Sequence, residues 1–196
     1  MKFRLMGIFC TLALSACVSV LPEPEVPNGL YRLGDIEANA TISRTLIVRE
    51  PEGARIYSGK PMVAVGDDGA LRLIRGVEWA QPASRMLQVG LLDSFGTDGG
   101  GLALAKATGA PGDLELTWRI SEFTVSDTLA RCGLELTLLE GRSRKPLAQM
   151  SIEASAVASS NKAAERARAL VDAARDCVTQ SASAISAADT QLTEEN

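Results

Sequence analysis

The chain has 196 residues, 20 Lys and Arg against 24 Asp and Glu, a net charge of −4 and no histidine. The missing histidine removes the usual general base, the usual zinc ligand and every Ser/His or Cys/His nucleophile pair, which tilts the chain toward a non-enzyme. The acidic balance argues against nucleic acid or anionic lipid headgroups as partners, because both call for clustered Lys and Arg.

Lys2 and Arg4 precede an apolar run from Leu5 to Leu14. Roughly ten residues suit a signal-peptide hydrophobic region and cover only about half of a ~30 Å hydrocarbon core. The following Leu14-Ser15-Ala16-Cys17 resembles the lipobox of bacterial lipoproteins. Ser15 and Ala16 are small enough for a peptidase groove, and the Cys17 thiol is the nucleophile that carries a thioether lipid. The alternative is an ordinary signal peptide cut after Ala16. On the lipoprotein reading, residues 1–16 are the signal peptide and Cys17 is acylated, so the only cofactor expected is a covalent, palmitate-type lipid. Two or three acyl chains, at roughly 0.8 kcal/mol per buried CH₂, anchor the chain to a bilayer without spanning it. Val18 is not the Asp that retains enteric lipoproteins at the inner membrane, so the periplasmic side of the outer membrane is favoured over the inner membrane. Residues 1–16 hold two of the 20 basic residues and no acid, so the mature charge is −6. Pro22, Pro24 and Pro27 make residues 17–28 an extended tether with a reach of roughly 30 Å.

Without residues 1–16 about 180 residues remain, within the usual range for one domain, which is placed over 29–186. Strand candidates are 29–34 and 44–50, the latter with Leu46, Ile47 and Val48 buried on both faces. Residues 55–57 and 61–65 read as extended, and Gly66-Asp67-Asp68-Gly69 turns the chain into a hairpin partner over 71–79. Pro82 opens a helix over about 82–95. Its apolar stripe is Ala83, Met86, Leu87, Gly90, Leu91 and Ser94/Phe95, with Arg85, Gln88 and Asp93 facing away. Gly96 is placed as a left-handed cap.

Leu114, Leu116, Trp118 and Ile120 alternate with Glu115, Thr117, Arg119 and Ser121, the period of a half-buried strand. Parity then changes to Phe123 and Val125, which predicts a bulge near Ser121-Glu122. Alternation resumes through Cys132, Leu134, Leu136 and Leu138, then through Ala148, Met150, Ile152, Ala154 and Ala156, completing an antiparallel meander with one apolar face. A helix over about 162–185, with an Ala-rich stripe and a cap at Ser160 or Asn161, covers that face. Residues 187–196 read as a frayed polar tail. The fold class is therefore α+β, a single mixed, largely antiparallel sheet covered by the mid-chain and C-terminal helices.

Cys132 and Cys177 project into the same layer, which makes them a disulfide candidate. A loop of about 45 residues gives such a bond roughly 4 kcal/mol in the chain-entropy treatment. Two buried thiols that never meet are the alternative. Gly53 to Lys60 has the wrong glycine spacing for a phosphate loop, and Pro61 occupies the Mg²⁺-binding Ser/Thr position. Asp67-Asp68 reads as a solvated turn, and no metal site is expected. Trp118 reads as a core anchor, whereas Trp79, at a strand-to-helix junction, is a candidate for a partner surface.

The order of lipobox, Tyr31-Arg32-Leu33 strand, Trp79-Ala80-Gln81-Pro82 helix start, Met86-Leu87-Gln88, three-strand meander and Ala-rich terminal helix resembles the ABC-type transport auxiliary lipoprotein family, which includes PqiC-like components of Mce-type lipid transport systems. Gln81 stands where many members carry an acidic residue. The resemblance spans about Gly29 to Ile185. It implies a non-catalytic adaptor that partners a periplasmic Mce-domain protein and an ABC permease/ATPase complex moving phospholipid or sterol-like lipid. Ring-forming relatives extend the implication to homo-oligomers. The alternative reading is a structural or regulatory envelope lipoprotein, such as a cell-wall synthase activator or an outer-membrane assembly adaptor.

Overall fold

The computed structural model describes residues 26–194. The signal segment, Cys17 and the tether as far as residue 25 lie outside them. The first half contains β1 (Gly29–Tyr31), β2 (Leu46–Val48), β3 (Glu52–Gly53), α1 (Arg55–Ser58), β4 (Pro61–Val65), β5 (Leu71–Trp79), α2 (Ala83–Asp93) and β6 (Ala103–Ala105). The second half contains β7 (Leu114–Ser126), β8 (Leu129–Glu140), β9 (Pro146–Val157) and α3 (Ala163–Glu194).

Strand β7 organises the sheet. Its apolar residues Leu114, Leu116, Trp118 and Ile120 are buried, and the ladder to β8 slips between Ile120 and Glu122, so Phe123 and Val125 remain inward after the parity change. Along one edge β7 pairs antiparallel with β8, and β8 with β9. Three short parallel strands share the other edge: β2 beside Leu114 to Leu116, β3 beside Arg119 and Ile120, and β4 beside Val125 and Ser126. Strand β4 forms the expected hairpin with β5 through a turn in which Gly69 has φ +76°. Parallel strands β1 and β6 extend the sheet at β5 and β2. The sheet is thus mixed, and its long pairings are antiparallel. At its margin the tether joins the domain, with the Asn28 amide donating to the Gly76 carbonyl at 2.7 Å.

Helix α3 closes the core over the meander. Its inward face carries Ala167, Leu170, Ala174, Cys177, Val178, Ser181, Ala182 and Ile185, mostly small side chains that let its backbone lie close to β8 and β9. Helix α2 buries the stripe read from the sequence and crosses α3 at Gly90, where an added Cβ would sit 2.8 Å from the Leu33 side chain and 3.6 Å from Val178.

Four local expectations are corrected. Residues 55–58 form one helical turn rather than a strand, because the Tyr57 and Ser58 amides both reach the Ala54 carbonyl. Gln88 faces inward, donating its side-chain amide to the Val48 carbonyl at 2.9 Å. Gly96 is not left-handed; α2 ends at Ser94, whose hydroxyl and amide return to the Gly90 carbonyl. Finally, α3 does not fray after Ile185 but continues to Glu194. Ala188 and Asp189 are buried there, and the Asp189 carboxylate accepts from the Ser43 amide and hydroxyl, both at 2.7 Å, and from Arg44 Nε at 2.6 Å.

Candidate functional site

Of the residues singled out in the sequence, Cys17 lies outside the described region. Cys132 and Cys177 do meet between β8 and α3, both fully buried. They are free thiols in this structure: Cys177 Sγ donates to the Cys132 carbonyl at 3.2 Å, and no disulfide is formed. Burial, reinforced by the neighbouring Cys177, pushes the Cys132 thiol well above the ordinary thiol range. Trp79 is 1% exposed and stacks on Phe123 with ring centroids 5.2 Å apart, so it is a core anchor and the partner-surface expectation is corrected. Trp118 is also a core residue, donating Nε1 to the Arg49 carbonyl at 2.7 Å. Asp68 sits in a solvated turn held by a two-pronged contact from Arg72 at 2.8 and 2.6 Å, and among the described residues no cluster of His, Cys, Asp or Glu is arranged to hold a metal.

The site with the most concentrated charge is one that alternation hid. Glu115 occupies the polar parity of β7, yet it is 4% exposed. The reason is its place at the strand's start, where β2 covers one side and the β8–β9 turn comes down on the other. Three cations converge on its carboxylate. Arg49, just past β2, donates Nε to Oε1; Arg144 in the β8–β9 turn reaches Oε2 at 2.9 Å; and Lys106, just past β6, lies 3.5 Å from Oε2. Burial alone raises the Glu115 pKa, but the hydrogen bonds and charges of Arg49 and Arg144 outweigh it and hold the carboxyl at about 2.

Glu115 lines a cleft of about 1030 Å³. Its floor requires glycine: a Cβ on Gly141 would lie 2.0 Å from the Gly112 carbonyl, so two loops touch there backbone to backbone. Ile47, Leu147 and Leu192 give the lining an apolar part, while Arg44, Lys106, Arg142 and Lys145 give it a basic one. A carboxylate ionised down to about pH 2 and ringed by three cations is no proton carrier at neutral pH. The chemistry available is electrostatic, a surplus of positive charge facing outward. No sequence motif announces it, because Arg49, Lys106, Glu115 and Arg144 come from four separate segments.

Two solved structures share the fold. A DUF330-family protein from Xanthomonas campestris is 20% identical, with a TM-score of 0.75, and the match covers 86% of this chain and 99% of that one. A second, uncharacterised protein is 15% identical, with a TM-score of 0.65, covering 82% and 100%. Among curated proteins none matches the chain. The family model for the ABC-type transport auxiliary lipoprotein component matches residues 31–186, and the chain belongs to that family. Membership associates it with an ABC-type transporter. Among the described residues no helix is long and apolar enough to cross a membrane, which with the family fits a membrane-anchored place in the envelope.

Proposed function

We propose that this chain is a non-catalytic adaptor of an Mce-type lipid transport system. Cys17 carries its lipid anchor at the periplasmic face of the outer membrane, and its folded domain docks a periplasmic Mce-domain protein that works with an ABC permease/ATPase complex. The carrying observation is the family match over 31–186, which takes in nearly every element of the fold. Three features support the finer reading: the lipobox ending at Cys17, the proline-spaced tether after it, and a charged cleft whose central carboxylate is locked in its ionised form. A periplasmic address and a reach of roughly 30 Å suit a docking component better than a soluble carrier.

In-cell crosslinking of the tagged full chain, followed by mass spectrometry, tests the partner. Recovery of an Mce-domain protein together with the permease is the expected result. Failure to recover either, combined with an unchanged envelope lipid composition in a deletion strain, would overturn the proposal.

A further inference from the structure

We propose that the cleft around Glu115 is a binding site for a phosphate oxyanion carried by an amphiphile, such as an anionic phospholipid headgroup. The proposal deepens the lipid-transport reading and rests on it only for the source of the phosphate. Chain-wide acidity counts against anionic ligands, but the fold reverses that balance locally. The lining itself carries Arg44, Lys106, Arg142 and Lys145 against Asp113, Glu115 and Glu140, a net charge of +1, and with Arg49 and Arg144 paired to Glu115 and Asp189 paired to Arg44 just beside it the local charge is +2 on a chain of −4. A concave wall concentrates that field and raises the local concentration of anions.

The cations divide into two groups. Arg49, Lys106 and Arg144 touch the buried Glu115 carboxylate with their charged ends, which holds those ends in place, while their side chains remain 42%, 50% and 50% exposed toward water. One carboxylate cannot neutralise three cations, so each keeps donors for a second acceptor. Of these three only Lys106 lines the cleft; Arg142 and Lys145 line it too, are exposed, and pair with no carboxylate among the described residues. Lys106, Arg142 and Lys145 thus line the cleft with donors to spare, Arg49 and Arg144 add positive charge beside it through Glu115, and the Arg142 guanidinium suits a forked contact to phosphate.

The rest of the lining distinguishes an amphiphile from a bare ion. Ile47, Leu147 and Leu192 share the cavity with Arg44, Lys106, Arg142 and Lys145. A volume of about 1030 Å³ is at the upper end of the roughly 300–1,000 Å³ typical of ligand pockets, and far more than inorganic phosphate needs. An apolar wall beside a cationic one matches a glycerophosphate group with the first carbons of its acyl chains.

Isothermal titration of the full chain in non-ionic detergent at low salt, with inorganic phosphate, dihexanoyl phosphatidic acid and uncharged dihexanoylglycerol as separate probes, tests this. Phosphatidic acid is expected to bind, dihexanoylglycerol is not, and the double variant R142A/K145A should weaken phosphatidic acid by about tenfold or more. Both side chains are exposed and unpaired, so the melting curve should stay put. R32A/R131A, which removes two exposed cations outside the cleft, serves as the charge-matched control and should bind as the wild type does. Silence with inorganic phosphate assigns the source to the lipid headgroup; equal binding of inorganic phosphate supports the oxyanion site with free phosphate as its source. Absence of binding by both phosphate probes, undiminished binding in R142A/K145A, or equal weakening in the control overturns the proposal. Partner crosslinking is a separate readout, so the site and the transport reading fail independently.

Discussion

Glu115 places an acidic side chain where strand periodicity puts water, and three cations make that burial tolerable. Truncation to Ala strands those cations beside a hole; Glu115→Gln keeps the shape and removes the charge. E115Q should unfold about 2 kcal/mol more easily at pH 7, less than the full shift implies because the cations are half exposed and screened. The sign follows from a folded pKa of about 2 against an ordinary value of 4.5. Such a depressed carboxyl contributes its stability above pH 4.5 and loses it as pH falls toward 2, so the gap between wild type and E115Q should close over that window. Urea unfolding at pH 7 and pH 3 measures it, and a gap of constant size would refute the charge argument.

Cys132 and Cys177 are buried in contact as thiols, 45 residues apart, and the periplasm proposed above is oxidising. The expected state of the exported protein is bridged, with roughly 4 kcal/mol lost on reduction. Alkylation under denaturing conditions without reductant should label neither cysteine; two labels would show that the thiols persist.

Among the elements, α3 shows both how much the sequence exposes and where pattern reading stops. Its apolar stripe from Ala163 to Ile185 was legible because the residues repeat at helical spacing, as were β7, β8, β9 and the bulge, which repeat at two. The last turns were not legible. Ser, Ala, Asp and Thr after Ile185 carry no apolar period, and the helix persists there because Asp189 bonds Ser43 and Arg44, partners nearly 150 residues earlier. The same coil is strapped to α3 at two more points, by Asn39 to the Thr179 carbonyl at 3.1 Å and by Arg175 to the Asp35 carbonyl at 2.9 Å. Gln88 and the turn at 55–58 depart from the pattern for the same reason: one long-range hydrogen bond, to the Val48 carbonyl, and two local ones, to the Ala54 carbonyl, override the periodicity. The charged cleft was illegible throughout, since its members never approach one another in sequence.

The clamp predicts what shortening the helix will do. Asp189→Asn should cost about 1–3 kcal/mol, through weakened bonds to the Ser43 amide and Arg44. Removing residues 187–196 should cost more, because Ala188 leaves the core as well. Thermal melts of both variants decide the matter, and a truncation with the wild-type midpoint would restore the frayed-tail picture. Burial pushes the Asp189 carboxyl up, but the Ser43 and Arg44 contacts prevail and leave it below the ordinary value, so its contribution too fades as the solution is acidified through the folded pKa.

For the molecule as a whole, the domain and the lipid anchor proposed at Cys17 should be separable in stability and coupled in action. The described contacts close a complete sheet and cover from Asn28 onward, with the Asn28–Gly76 bond at the margin. The sheet and its cover are complete among the described residues, so Cys17→Ser should leave the unfolding free energy of the domain within about 0.5 kcal/mol of wild type. Its effect should appear instead in location. Without an acylated cysteine the chain should leave washed membranes, and its processing should become insensitive to inhibition of lipoprotein signal peptidase. A tether of roughly 30 Å confines an anchored domain to a thin layer above the bilayer, where its effective concentration toward a membrane-held transporter is far above that of a freely diffusing copy. Crosslinking of C17S to the transport machinery should therefore fall steeply even though the docking surface is unchanged, and a second, unrelated lipid anchor fused in front of the tether should restore it. Crosslinking that survives release from the membrane would mean that the domain binds its partner strongly enough unaided, and that the lipid serves only to set the address.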